Sequence, residues 1–127
     1  MGERLKGKVV LVTGGTRGIG KAIVEAVASE GAKVIINFRS SISEAEEMVR
    51  KLRDAGIDAI SVRADVSKES EVERMFEIIR ENYGILHGIV NNAGHGSGRI
   101  WNKRFTDLAW SDFKEVLSVD LKGTFLV

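Results

Sequence analysis

Three glycines near the start of the chain have the spacing of a phosphate-binding turn. Gly14, Gly18 and Gly20 follow the apolar run Val9–Val12 and open a segment with helical periodicity. Between a strand and a helix, such glycines allow a tight turn, close approach of a phosphate and close helix packing. The N–H groups at the helix N-terminus then face the anion. The pattern predicts a dinucleotide pyrophosphate site, with contacts from Thr13, Gly14, Thr16, Arg17, Gly18, Ile19 and Gly20.

The same turn contains most of a second phosphate-binding pattern. Residues 15–21 read G-x-x-x-x-G-K, but Ala22 follows where a P-loop needs Ser or Thr to hold magnesium. We therefore favour a dinucleotide over a nucleoside triphosphate. An extended-type epimerase would be expected to carry Gly where this chain has Arg17. A tight turn that binds no ligand stays open as the plain structural alternative.

Four apolar segments alternate with segments of helical periodicity. The predicted strands are residues 8–13, 33–38, 58–63 and 85–90. Strands that alternate with helices imply an α/β fold, here a Rossmann-type, doubly wound parallel sheet covered on both faces. Right-handed crossovers give this half the strand order 3-2-1-4. Residues 1–127 are thus predicted to form one dinucleotide-binding half-domain, with the ligand crevice between strands 1 and 4.

Helix boundaries follow from hydroxyl residues and glycines. Ser67 is the predicted N-cap of the third helix, and the second helix begins at a capping box that starts at Ser43 or Ser41. Glycines are predicted to end the three helices, at Gly31, Gly56 and Gly84. Helical spacing predicts that the first helix buries Ile19, Ala22, Ile23, Ala26 and Val27.

Two more motifs follow the third and fourth predicted strands. Asp65-Val66 comes after the third strand, and residues 91–94 read Asn-Asn-Ala-Gly after the fourth. Together with the glycine-rich turn, they resemble the short-chain dehydrogenase/reductase family. The pattern looks most like its 3-oxoacyl-carrier-protein reductase and glucose dehydrogenase branches. All three motifs are expected at the carboxyl ends of their strands, facing one crevice.

The resemblance implies a role for each residue of these motifs. Asp65 would accept a hydrogen bond from the adenine amino group, and Val66 would offer its backbone. Asn91 would steady the central sheet. The backbone of Ala93 and Gly94 would pass close to the cofactor ribose.

The residues after the second strand bear on the choice of cofactor. NAD-binding members carry an acidic residue there for the ribose 2′-hydroxyl, but this chain reads Asn37-Phe38-Arg39-Ser40. Arg39 and Ser40, with Arg17, resemble the groups that hold a 2′-phosphate in NADP-preferring members. A guanidinium matches phosphate geometry with two parallel bonds. We therefore expect NADP(H) to be preferred over NAD(H), with a solvated loop cation as the alternative interpretation of Arg39.

The resemblance also implies hydride transfer between the nicotinamide and a carbonyl or alcohol carbon. In that family a Tyr-x-x-x-Lys motif and a Ser carry the proton chemistry, and none of them has a match in this chain. Tyr83 is the single tyrosine and is followed four residues later by His87 rather than Lys. We therefore predict no catalytic residue, and we do not favour His87 or His95 as an acid–base group. Asp120 stands where the family usually has the Asn of a proton relay.

Composition excludes several other classes of protein. The chain is 43% hydrophobic and 29% charged, with a net charge of +1. This charge gives no electrostatic reason to expect binding to nucleic acid or to an anionic membrane. No apolar run approaches the length of a membrane span. The absence of cysteine excludes disulfides and thiolate metal sites, and the two histidines lack matched ligands, so no metal site is predicted. The N-terminus has no apolar signal core, and we expect a cytoplasmic protein.

The resemblance covers only the first half of the family's usual length and ends at Val127, before a fifth strand. Three explanations stay open: a fragment of a split or cut enzyme, a nucleotide-binding module without chemistry, or a structural protein that pairs with a full-length relative. The last predicted helix is apolar, and the fourth strand would lack a neighbour. We therefore expect a homo-oligomer or a complementing C-terminal fragment. The whole enzyme would act on a small carbonyl or alcohol.

Overall fold

Four parallel strands form one sheet in the order β3-β2-β1-β4. The computed structural model of the chain describes residues 2–94, 100 and 102–127. The strands are β1 (Val9–Val12), β2 (Lys33–Phe38), β3 (Ala59–Arg63) and β4 (Gly88–Val90). In the register, Leu11 of β1 pairs with Ile35 on one side and with Ile89 on the other. The predicted parallel sheet and its strand order are therefore confirmed.

Helices connect the strands and follow the last one. The helices are α1 (Gly18–Ser29), α2 (Ile42–Asp54), α3 (Glu69–Tyr83), α4 (Trp110–Leu117) and α5 (Gly123–Leu126). A 3₁₀ turn, Phe105–Asp107, precedes α4, and a π-helical turn, Ser118–Lys122, joins α4 to α5. The C-terminal segment thus runs as one continuous helical stretch from Trp110 to Leu126.

Successive residues of the central strands face opposite sides of the sheet, which divides the core in two. On one side, Leu11 and Ile35 pack with Met75 of α3 and with Leu126 at the C-terminal end. On the other side, the alternate positions pack beneath α1 and α2, namely Val10, Val12, Val34 and Ile36. Because both faces are covered, β1 is apolar throughout and β2 is apolar from Val34 to Ile36, rather than alternating between apolar and polar residues.

The predicted buried face of α1 is wrong. Ile19 is 74% exposed, and Ala22 and Ala26 are also exposed, whereas Val24 and Ala28 are buried. The remaining predicted positions, Ile23 and Val27, are half-buried against the core. A close contact at the start of α1 fixes its rotation, because a Cβ placed on Gly20 would lie 2.1 Å from the carbonyl oxygen of Gly14. The helix therefore turns its side bearing Gly20, Val24 and Ala28 toward the sheet.

The helix boundaries confirm the glycine predictions and correct one cap. Gly84 is the C-cap of α3 in the left-handed conformation, and Gly31 and Gly56 follow the ends of α1 and α2 with positive φ. Of the two proposed starts for α2, Ser41 is the N-cap, although its side chain makes no capping bond. Ser67 is not the cap of α3, which begins at Glu69 after Lys68. Instead, the hydroxyl of Ser67 donates a hydrogen bond to Oδ1 of Asp65.

Several large apolar side chains remain exposed at the β4 edge and in the C-terminal segment. In the described part of the chain, no strand pairs with the outer edge of β4, where Ile89 is exposed. Trp110 and Phe113 are exposed and lie against each other with ring centroids 5.7 Å apart. Phe125 is 86% exposed. Within the described ranges, no helix is long and apolar enough to cross a membrane.

Candidate dinucleotide-binding site

A cleft of about 650 Å³ lies at the carboxyl ends of the strands. It runs from the loop after β2, across the glycine-rich turn after β1, to the loop after β4. Nine predicted site residues line it, namely Gly14, Thr16, Arg17, Arg39, Ser40, Asp65, Val66, Ala93 and Gly94. The sequence prediction did not include the other lining residues, which are Asn37, Phe38, Ser41, Ala64, Asn92, Val119 and Asp120.

The glycine-rich turn has the geometry that a phosphate site needs. Gly14 has a φ of +61°, and a Cβ placed there would lie 3.0 Å from the Cα of Ala93. Gly18 has a φ of +53°, and apart from its chain neighbours and the backbone of its own helix, no atom of the described chain lies within 4 Å of its Cβ position. Arg17, the N-cap of α1, makes no side-chain capping bond. The first N–H groups of α1 therefore lack a side-chain cap next to open space, as at anion-binding helix N-termini.

Five predicted contacts do not line the cleft. Thr13 is buried beneath the turn, Gly20 packs against Gly14, and Gly18 borders the open space described above. Ile19 is exposed at the first turn of α1, and Asn91 is exposed beyond β4. Contact of these residues with a ligand stays a prediction.

Thr13 and Asn92 hold the end of β4 against the turn. The hydroxyl of Thr13 accepts hydrogen bonds from the backbone N–H groups of Asn92 and Ala93, both at 3.0 Å. The side-chain amide of Asn92 donates to the carbonyl oxygens of Thr13, at 3.1 Å, and Gly14, at 3.0 Å. The sheet-steadying role that we expected of Asn91 therefore belongs to Asn92. Because β4 ends at Val90, the second asparagine rather than the first returns toward β1.

Asn37 is the main residue that the sequence interpretation missed. It lies in β2, is 2% exposed, and has hydrogen bonds at both ends of its side-chain amide. Its Oδ1 accepts from the N–H of Gly14, and its Nδ2 donates to the carbonyl oxygens of Val62 and Ala64. The available signal was one asparagine inside an otherwise apolar strand, because a buried amide requires partners.

The side of the cleft formed by the glycine-rich turn and the loops after β2 and β3 carries three of the four charged residues that line it. Arg17 and Arg39 are exposed, and among the described residues neither takes part in an ion pair. Asp65 accepts hydrogen bonds from the hydroxyl of Ser67, at 2.6 Å, and from its N–H, at 3.0 Å. Burial alone would raise the pKa of Asp65, but the bonds from Ser67, with Arg39 and Lys68 nearby, outweigh it and lower the pKa. This side therefore holds a stabilised carboxylate beside two cations.

The opposite side of the cleft is closed by the C-terminal segment. Val119 and Asp120 of the π-helical turn line the cleft beside Gly94. A Cβ on Gly94 would lie 3.7 Å from Oδ1 of Asp120, and a Cβ on Gly123 would lie 2.7 Å from Cγ2 of Val66. The close approach at Gly123 seats the start of α5 on Val66. Asp120 thus places a carboxylate at the β4 side of the cleft, and its effect on a proton relay stays a prediction.

The remaining acid–base candidates lie away from the cleft. Nδ1 of His87 accepts the N–H of Val9 at 2.9 Å, at the amino end of β1 and thus opposite the cleft. The hydroxyl of Tyr83 donates to Asp58 at 2.9 Å, and burial, together with this bond, raises the pKa of Tyr83. Both side chains therefore support the fold. His95 lies outside the described residues.

Comparisons with known proteins agree with this geometry. Residues 8–127 match the sequence model of the short chain dehydrogenase family. The chain is 36% identical over 126 residues to glucose 1-dehydrogenase 2 of Bacillus subtilis, covering 99% of this chain and 48% of the relative. It is 39% identical over 125 residues to versicolorin reductase stcU of Emericella nidulans, covering 98% and 46%.

A solved structure shows the same arrangement of strands and helices. It is a short chain dehydrogenase from Burkholderia cenocepacia in complex with NADP, with a TM-score of 0.88 and 34% identity over 97% of this chain and 49% of that one. The chain therefore spans about half the length of the relatives that it matches. The family model, the relatives and the fold agree that this chain belongs to the short chain dehydrogenase family.

Proposed function

We propose that this chain is the NADP(H)-binding part of an oxidoreductase that acts on a carbonyl or alcohol substrate. The observation that carries the proposal is the cleft, which joins an open phosphate-binding turn to a cationic loop after β2. When bound, the nicotinamide supplies a hydride donor or acceptor. The residues of this chain bind the dinucleotide, orient it and interact with the negative charge of its phosphates.

The cleft fits a dinucleotide by position and chemistry. In open parallel sheets, ligands bind beyond the carboxyl ends of the strands where the winding reverses, here between β1 and β4. The turn at Gly14 and the uncapped start of α1 suit the pyrophosphate. The adenosine half would then lie toward Arg39 and Asp65, and the nicotinamide half toward Gly94 and Asp120.

The preference for NADP(H) rests on the loop after β2. Arg39 and Ser40 line the cleft there, and Arg17 approaches from the turn. Guanidinium and hydroxyl groups donate hydrogen bonds to a 2′-phosphate, whereas a carboxylate at this position would repel it. Charge-assisted bonds contribute about 1.5–3 kcal/mol each, enough for a preference of about tenfold or more.

We extend the proposal to the whole enzyme. Its proton donor would be the tyrosine that the family resemblance implies, outside these 127 residues. Among the described residues that line the cleft beside Gly94, Asp120 is the one titratable group. The exposed edge of β4 and the exposed rings of Trp110, Phe113 and Phe125 would be covered by a second copy or by a complementing segment. We expect this protein in the cytoplasm.

Binding of the two cofactors tests the proposal. NADPH and NADH are titrated by fluorescence against the wild type, Arg39→Glu and the control Arg50→Glu, which makes the same charge change on α2, outside the cleft. We expect NADPH to bind the wild type about tenfold more tightly than NADH, and Arg39→Glu to remove that preference. Equal affinities in the wild type, unmoved by Arg39→Glu, would refute the preference for NADP(H).

A further inference from the structure

The buried amide of Asn37 joins three segments of the cleft. Its Oδ1 accepts the N–H of Gly14 at 3.3 Å, and its Nδ2 donates to the carbonyl oxygens of Val62, at 3.3 Å, and Ala64, at 3.1 Å. Gly14 belongs to the turn after β1, and Ala64 directly precedes Asp65. Because β2 separates β1 from β3 in the sheet, a side chain of β2 is in the position to reach both.

The peptide groups of Gly14 are held from two sides. Asn37 accepts its N–H, while the amide of Asn92 donates to its carbonyl oxygen at 3.0 Å. Asn92 ties the turn to the end of β4, and Asn37 ties the same turn to the end of β3. The turn therefore has a fixed position relative to both halves of the cleft. Asn37 fixes its position relative to the half that contains Asp65.

We propose that Asn37 is a positioning residue that sets the spacing between the pyrophosphate turn and the adenosine side of the cleft. The inference rests on the proposed function. A dinucleotide must engage both places at once, and linked groups gain affinity only where the geometry allows simultaneous contact. If the turn is already ordered in the free protein, binding does not have to include the entropic cost of ordering it. Asn37 therefore acts through Gly14 rather than by touching the pyrophosphate.

Two variants separate the functions of the amide. Asn37→Ala removes the acceptor for Gly14 and both donors to β3. Asn37→Asp keeps the shape and the acceptor, but an ionised carboxylate cannot donate to the carbonyl oxygens of Val62 and Ala64. Val34→Ala serves as the control, because Val34 is fully buried in the same strand, packs beneath α1 and α2 and does not line the cleft.

The test compares a ligand that spans the cleft with one that occupies a single side. NADPH and adenosine 2′-monophosphate are titrated by calorimetry against the full 127-residue wild type and each variant. We expect Asn37→Ala to weaken NADPH about tenfold or more while adenosine 2′-monophosphate changes by about twofold or less. Val34→Ala should leave the ratio of the two dissociation constants unchanged, although it lowers stability.

Amide hydrogen exchange at Gly14 gives a second readout that needs no ligand. Its N–H should be protected in the wild type and in Asn37→Asp, and should exchange faster in Asn37→Ala. If Asn37→Ala does not fold, the two titrations are made with Asn37→Asp. Its broken link to β3 should also weaken NADPH binding more than adenosine 2′-monophosphate binding.

Four results would overturn the inference, the last of them together with the proposed function. Equal losses for both ligands would make Asn37 a purely structural residue, and unchanged NADPH affinity in a folded variant would show that the turn is held without it. An unprotected Gly14 amide in the wild type would contradict the bond itself. A wild type that binds neither ligand refutes the proposed function, and the inference with it, whereas normal binding without dependence on Asn37 refutes the inference alone.

Discussion

The two ends of the cleft are built in different ways. After β2 and β3, exposed and partly exposed charged groups line it, with Arg39 beside the stabilised carboxylate of Asp65. After β4, backbone groups line it at Ala93 and Gly94. There the N–H of Ala93 donates to the hydroxyl of Thr13, and the side-chain amide of Asn92 donates to the carbonyl oxygen of Gly14. The first end can discriminate between ligands by charge. The second end fixes the path of the backbone, so changes at the two ends should affect different properties.

The largest expected effect concerns chemistry at the β4 end. The 127-residue chain alone should show no measurable turnover of simple carbonyls or alcohols with NADPH or NADP⁺. General acid–base catalysis contributes about 10²–10⁴-fold, and the described Tyr83 and His87 are engaged at the opposite end of the sheet. Turnover is measured by nicotinamide absorbance. A rate that His95→Ala removes would contradict this expectation and identify His95 as the acid.

A side chain at Gly18 should enter the open space beside the glycine-rich turn, which lies between the two ends of the cleft. Gly18→Val should weaken NADPH about 100-fold or more, because the Cβ position faces open space where the phosphates would approach. The positive φ of Gly18 adds a cost of about 1–2 kcal/mol for any other residue. Gly18→Ala is therefore the control, since it carries the backbone cost with less steric bulk. Full binding by a folded Gly18→Val would place the ligand elsewhere.

Removing the hydroxyl of Thr13 should loosen the β4 end alone. Thr13→Val keeps the shape but leaves the N–H groups of Asn92 and Ala93 without their acceptor, at a cost of about 1–3 kcal/mol in the free energy of unfolding. Thr124→Val is the control, because its hydroxyl bonds to a helical carbonyl at an exposed position. Urea unfolding measures both variants. Equal effects from the two substitutions would show that the bonds at Thr13 contribute nothing special.

The smallest effect is expected at Asp65 and depends on pH. Because the pKa of folded Asp65 lies below its unfolded value, its ionisation stabilises the fold above the unfolded pKa, and this is lost as pH falls through the folded pKa. Ser67→Ala removes the hydroxyl bond to Asp65, leaves the backbone N–H bond in place, and should cost about 1 kcal/mol at neutral pH. The difference from the wild type should shrink in acid. A difference that stays constant from neutral to acidic pH would contradict this linkage.

Local requirements explain which features the sequence could predict. The turn was predictable because Gly14 needs a positive φ and close contact with Ala93, conditions that only glycine meets. The strand order followed from the alternation of elements and the handedness of crossovers. The face of α1 was not predictable from periodicity alone. The contact of Gly20 with the carbonyl of Gly14 sets the rotation of α1, and small residues carry no hydrophobic signal.

Pairing between distant segments explains the errors within the site. Which of Asn91 and Asn92 returns to β1 depends on where β4 ends and on the hydroxyl of Thr13, which lies far away in sequence. In the sequence, Asn37 was considered only as part of a segment that lacks an acidic residue. In the structure, its three hydrogen bonds connect it to the turn after β1 and to the end of β3. Such partners become visible only when the strands are aligned side by side.

Backbone amide shifts of the labelled chain during NADPH titration test the central claim most directly. We expect changes at Gly14, Thr16, Arg39, Asp65 and Ala93, which would show one ligand across both ends of the cleft, and NADH should produce smaller changes at Arg39. A smaller groove of about 160 Å³ between α1 and α2, lined by Lys21, Glu44 and Lys51, provides a rival location. Changes confined to that groove, with the glycine-rich turn unmoved, would contradict the account.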